Sequence, residues 1–177
     1  MSNLRLINET ITTVDRQTSV SLTNCFTNDF DIYKIVVNAQ TYNATAEQLD
    51  VRLINSSGSV IAGSNYDYAF LQLRSNASFN EVRSTNQTNW DRPFNTSDLP
   101  PETNQGIMYL FNPADSSSYT FAISQGVSMN GSGSLRGAKF IGVHTSQVKI
   151  SGFNIFMGSD SIGIGTSIKV YGLRVDT

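Results

Sequence analysis

A chain of 177 residues has the length of one ordinary domain, long enough to bury a core without disulfides or metals. Charged residues make up 15% of it, well under the roughly 25% usual in soluble domains, and Asn, Ser and Thr take their place. The net charge of -2 comes without any run of like charges, which argues against nucleic acid or an anionic membrane as partner.

Cys25 is the single cysteine, so an internal disulfide and a cysteine-based zinc site are excluded. No apolar stretch approaches the roughly 18 residues of a membrane helix, and no basic segment followed by an apolar run opens the chain. The expectation is a soluble protein made in a cytoplasm. On that expectation the seven Asn-x-Ser/Thr triplets, beginning at Asn8, Asn43, Asn55, Asn76, Asn86, Asn95 and Asn130, read as accidents of composition.

In chain order, Leu4, Leu6 and Ile11 mark a first extended segment and Val20 and Leu22 a second, with a turn at Val14-Asp15-Arg16-Gln17. Between residues 30 and 38, Tyr33, Ile35 and Val37 alternate with Ile32 and Val36. Apolar side chains on both faces predict a central strand. Leu49, Val51 and Leu53 alternate with Asp50 and Arg52, the pattern of a strand with one wet face. Asn55-Ser-Ser-Gly58 and Gly63-Ser-Asn65 read as turns, Tyr68 to Leu73 as a strand, Asp67 as a turn residue, and Glu81 to Ser84 as a short strand.

Residues 85 to 105 hold three of the four prolines and no periodicity, which predicts a long functional loop through which no strand runs. Beyond it come Ile107 to Phe111, then Tyr119, Phe121 and Ile123 alternating with Thr120, Ala122 and Ser124. Gly126 to Gly137 reads as a flexible crossing and Lys139 to Val143 as a strand. Val148, Ile150, Phe153, Ile155 and Met157 form another, whose parity change across Gly152 predicts a β-bulge. Ser167 to Val175 closes the chain. About 8 to 10 short strands without crossover helices predict an all-β antiparallel jelly-roll sandwich. One domain spans 1 to 177, with an extended N-terminal arm over 1 to 16 and the long loop over 85 to 105.

Catalytic signatures are sparse. His144 is the sole histidine, no Gly-x-Ser-x-Gly elbow precedes a helix, and Cys25 has no second catalytic residue beside it. Gly163-Ile-Gly165 and Gly131-Ser-Gly133 lack the following helix and cation that a phosphate cradle needs, and read as turns. Asp29, Asp31, Asp67 and Asp115 could supply oxygens to calcium, but no loop has EF-hand spacing and solvated carboxylates are the simpler reading. The expectation is a protein with no catalytic residues, no cofactor and no metal. Tyr42, Tyr66, Tyr68 and Phe70 could stack on a sugar, although core packing accounts more simply for Phe70 and one tyrosine.

The stretch Ile150-Ser-Gly-Phe-Asn-Ile-Phe156, followed by Gly163-Ile-Gly-Thr-Ser-Ile-Lys-Val-Tyr-Gly-Leu-Arg174, resembles the ending of a family of tailed-bacteriophage virion proteins. The resemblance extends over Gly106 to Val175. It implies a jelly-roll structural protein that decorates a capsid or heads a tail fibre, often as a trimer. The functional expectation is a capsid decoration or cement protein in the virion, made in the host cytoplasm, with copies of itself and the major capsid protein as partners. A short chain beginning at Met1 without a shaft favours this over a fibre tip.

The alternatives are a tail-fibre or tail-spike module binding a host surface glycan, and a small hydrolase with two opposed carboxylates. Six residues are expected at a partner interface. Leu4, Leu6 and Ile7 would pair with a neighbour's sheet edge, while Trp90, Arg92 and Phe94 would grip a neighbouring subunit, the alternative being that Trp90, Phe94 and Leu99 pin the long loop to its own sandwich.

Overall fold

The computed structural model describes residues 3–40, 48–94, 103–130, 132–158 and 161–174. Among these, all long regular structure is strand: β1 (Leu4–Ile11), β2 (Ser19–Leu22), β3 (Ile32–Ala39), β4 (Leu49–Asn55), β5 (Tyr66–Arg74), β6 (Asn80–Gln87), β7 (Trp90–Phe94), β8 (Asn104–Phe111), β9 (Thr120–Met129), β10 (Leu135–His144), β11 (Ile150–Phe156) and β12 (Ser167–Leu173). No helix among the described residues is long and apolar enough to cross a membrane.

The strands form two antiparallel sheets. The wide one has eight strands in the order β1-β12-β3-β8-β9-β10-β5-β6, and the narrow one four in the order β2-β11-β4-β7. From β2 onward the chain passes repeatedly between the sheets, which is the jelly-roll wrap. The meander β8-β9-β10 occupies the place of a single strand in the plain eight-stranded form, and β1 and β12 extend one edge. The expected fold class is therefore observed, with more strands than expected.

The core lies between the sheets. Leu53, Phe153 and Ile155 of the narrow sheet and Tyr33, Ile35, Met108 and Leu110 of the wide one are almost fully buried. β3 is central as expected, between β12 and β8. The β11 ladder to β4 shifts register between Ile150 and Gly152, so the predicted bulge is present. Asn55 closes its turn by accepting from the Ser57 and Ser59 amides, each at 3.0 Å.

Three expectations are corrected. The N-terminal segment is an edge strand rather than an extended arm, because Leu4 to Ile11 satisfies its backbone on β12 of the same sheet. The long loop shrinks, because β6 reaches Gln87, β7 spans Trp90–Phe94 and β8 starts at Asn104. Pro93 is tolerated because β7 is an edge strand bonded to β4 alone and bulged at Arg92, whose φ is 57°. The glycine-rich crossing is the end of a hairpin. Gly126 and Val127 pair with Ala138 and Gly137, and the turn closes from Asn130 to Ser134. Residues 95–102 of the expected loop, together with Tyr42, Asn43, Gly131 and Val175, lie outside the described residues.

Candidate functional site

β9 carries its small and polar residues inward and its large apolar ones outward. Thr120, Ala122, Ser124 and Ser128 are buried, whereas Phe121, Ile123 and Val127 are each about 45% exposed. The inversion has a steric cause. Trp90 and Phe94 of β7 project onto this part of the wide sheet and fill the space that larger β9 side chains would need. The Ser124 hydroxyl donates to the Pro93 carbonyl, and Gly106 lies so close to the Phe94 ring that a Cβ there would overlap it.

The outward residues form rows across the wide sheet. One row runs Tyr109, Ile123, Ile141, Ala69, Arg83. Its neighbours run Ile107, Gln125, Lys139, Leu71, Glu81 and Phe111, Phe121, Val143, Asp67. Over β8, β9, β10, β5 and β6 the surface is an open trough of about 1070 Å³, floored by Ile107, Tyr109, Ile123, Ile141 and Leu71. Sheets with one wet face ordinarily present polar residues outward. A contiguous exposed apolar surface of this kind marks a binding face.

The six expected interface residues are separated by the fold. Leu4 and Leu6 stand on the outer face, opposite Leu173 and Tyr171, and continue the apolar rows to the sheet edge. Ile7 sits at a bulge between Leu6 and Asn8 and packs against the core. Trp90 and Phe94 are buried in this chain's own core, so they have no surface to offer a neighbour. Trp90 stands edge-on to Tyr66 and Phe140, and its indole donates to the Val143 carbonyl at 3.3 Å.

Arg92 is half-buried, paired with Asp91 at 3.2 Å, with its guanidinium 5.8 Å from the Phe70 ring centroid. Phe121, Ile123 and Ile141, which dominate the face, were absent from the expected interface. For Phe121 and Ile123 the signal lay in β9, where bulky residues alternate with small ones.

The histidine, the cysteine and most of the carboxylates lie elsewhere. His144 is fully buried against Tyr66, its ring centroid 4.8 Å away. Neither ring nitrogen has a partner within hydrogen-bond geometry. Burial lowers the imidazole's pKa, opposed weakly by the Ser146 backbone. The Cys25 thiol is buried beneath the Leu22 carbonyl and pushed up to about 12 by burial. It is an inert packed thiol. Tyr66 and Phe70 are core residues and Tyr68 is half-buried, which takes the first two away from a sugar surface.

Asp29 accepts from the Thr27 hydroxyl, and Asp115 accepts from the Ser117 amide and hydroxyl, which lower its pKa. Asp67, expected in a turn, is a β5 residue that accepts from the Asn86 amide at 2.8 Å. Among the described residues no group of three or more His, Cys, Asp or Glu side chains could hold a metal. Glu81 is the one carboxylate among the residues lining the trough.

Asp50 and Asp91 meet at the β7 bulge. Asp50 accepts from the Arg92 amide and the Asn89 side-chain amide, each at 3.1 Å. Burial first, and the Asp91 carboxylate second, push Asp50 up to about 7. A folded-state pKa above the unfolded value of 3.8 means that the folded chain holds a proton the unfolded chain has lost between those limits. Stability from this group is full below pH 3.8, falls as pH rises toward 7, and stays reduced above it. Asp50→Asn is expected to leave stability near pH 4 almost unchanged and to raise it at pH 8, measured by urea unfolding at both. Equal shifts at the two pH values would contradict the assignment.

No protein-family model matches this chain, and no curated protein matches it. Among solved structures it is similar to the marine PL-14 alginate lyase from Aplysia kurodai. The match has 7% sequence identity and a TM-score of 0.35, and it covers 86% of this chain and 72% of that one. A likeness so slight has no bearing on function.

Proposed function

We propose that the chain is a structural protein of a bacteriophage virion, a decoration or cement protein that sits on the outer capsid surface as a homo-oligomer and catalyses nothing. The observation that carries this reading is the apolar outer face of the wide sheet. It is broad and open, and it suits a flat macromolecular contact better than an enclosed small-molecule site. The phage-like ending of the chain supplies the setting, and low charge density suits repeated neutral contacts between copies.

Mass spectrometry of purified phage particles, together with uptake of the purified protein by capsids lacking it, tests the proposal. The chain is expected in the particles and bound to their heads. Absence from the particles would end the virion reading. The trough favours one second reading, a tail-fibre module that binds a glycan. Tyr109 offers a ring face there, and Gln125, Lys139, Glu81 and Arg83 offer hydrogen bonds to hydroxyls. Binding to host cells with none to undecorated capsids would select it.

A further inference from the structure

We infer that the apolar outer face of the wide sheet is the surface through which this chain associates with another copy of itself. The inference rests on the proposed structural role and names the surface that role would use. Size is the first argument. Seven steps of about 4.8 Å from the first strand to the eighth, and about four rows spaced near 7 Å, give a face of roughly 1,000 Å². A standard protein interface takes about 800 Å² from each partner, so a second copy laid on this face has room for one. The exposed apolar residues run from Leu4 and Leu6 on β1 to Ile141 on β10, across more strands than a small ligand covers.

Composition is the second argument. Phe121, Ile123 and Ile141 stand beside one another on adjacent strands, 46%, 45% and 61% exposed. Interfaces between copies of one chain are the more apolar kind. Two sheets laid face to face at about 10 Å give such residues the environment of a sandwich core.

Charge is the third. Lys34 and Lys139 lie among the apolar rows and Glu81 and Arg83 on the β6 border, so the face carries both signs. With Asp67 at the end of a neighbouring row these make three cations and two anions, so a copy of the face can set Glu81 and Asp67 against cations, while a uniformly charged partner would be repelled by one set. The net charge of -2 adds little repulsion between copies.

Sedimentation equilibrium on the purified chain, wild type against the double variant Ile123→Glu and Ile141→Glu, is the test. Both positions are exposed, so the monomer fold should survive, and circular dichroism checks that it does. The wild type is expected to form an oligomer at micromolar concentration. The double variant should associate at least about 100-fold more weakly, since apolar residues at the centre of a contact are replaced by like charges. Val60→Glu, exposed on the opposite side near β4, should associate like wild type.

A wild type that stays monomeric overturns the inference, and so does an oligomer that persists in the folded double variant. A monomer that still coats capsids overturns it while leaving the virion proposal standing. A wild-type oligomer that is absent from particles supports it and removes the virion proposal alone.

Discussion

Trp90→Ala is expected to lower the free energy of unfolding by about 3–5 kcal/mol, the range for removing a fully buried large aromatic from a core. Trp90 has no exposed surface and lies between the two sheets, edge-on to Tyr66 at 5.6 Å between ring centroids and to Phe140 at 6.2 Å. The vacated space is hard to refill, because Gly142, which faces the indole, has no side chain and the inward Ala122 and Ser124 of β9 have short ones.

The substitution also leaves the Val143 carbonyl without the indole donor. For a domain whose total stability is about 5–15 kcal/mol, the loss brings the variant close to unfolding at ambient temperature. Urea denaturation followed by circular dichroism checks this. A loss under about 1 kcal/mol would mean that Trp90 stands at the surface and could face a partner after all. Trp90→Phe keeps most of the volume and should lie between the two.

The second large effect is expected at Gly152, on the bulge of β11. A Cβ there would overlap the Leu22 carbonyl, which is backbone and cannot rotate away. Gly152→Ala must therefore push β2 off β11, at a cost of about 1–3 kcal/mol and toward the upper end because the obstacle is main chain. The displacement would stretch the bonds from the Cys25 and Phe26 amides to the Ser151 carbonyl, now 2.8 and 3.2 Å. Faster hydrogen exchange at these two amides should accompany the loss, while the β8–β9 ladder keeps its protection. Unchanged stability together with unchanged exchange at Cys25 and Phe26 would refute the close approach.

Particular residues show how far the sequence could be read. The alternation in β3, the Asn55 turn and the parity change at Gly152 are local, and each was legible because two-residue periodicity and turn chemistry act over a few residues. β7 was hidden for the opposite reason. Pro93 argues against a strand until its place at a sheet edge is known, and edge position is a property of the whole sheet. Trp90 and Phe94 read equally as anchors gripping a neighbour or as pins holding their segment to its own sandwich, and their burial in this chain's core is the second outcome. Leu4, Leu6 and Ile7 were expected to pair with a neighbour's sheet edge, whereas their strand pairs with β12 of their own sheet.

The sequence by itself determined that this protein is built of short antiparallel strands in a sandwich, because patterning and turn residues act within the strand that contains them. It could not determine which face of β9 is inside. Hydrophobicity alone would bury Phe121 and Ile123, but the space on that side is already filled by Trp90 and Phe94 from a strand some thirty residues earlier. Only the packing of one sheet on the other assigns that volume, so only the tertiary structure decided that the larger residues face outward and form an apolar surface.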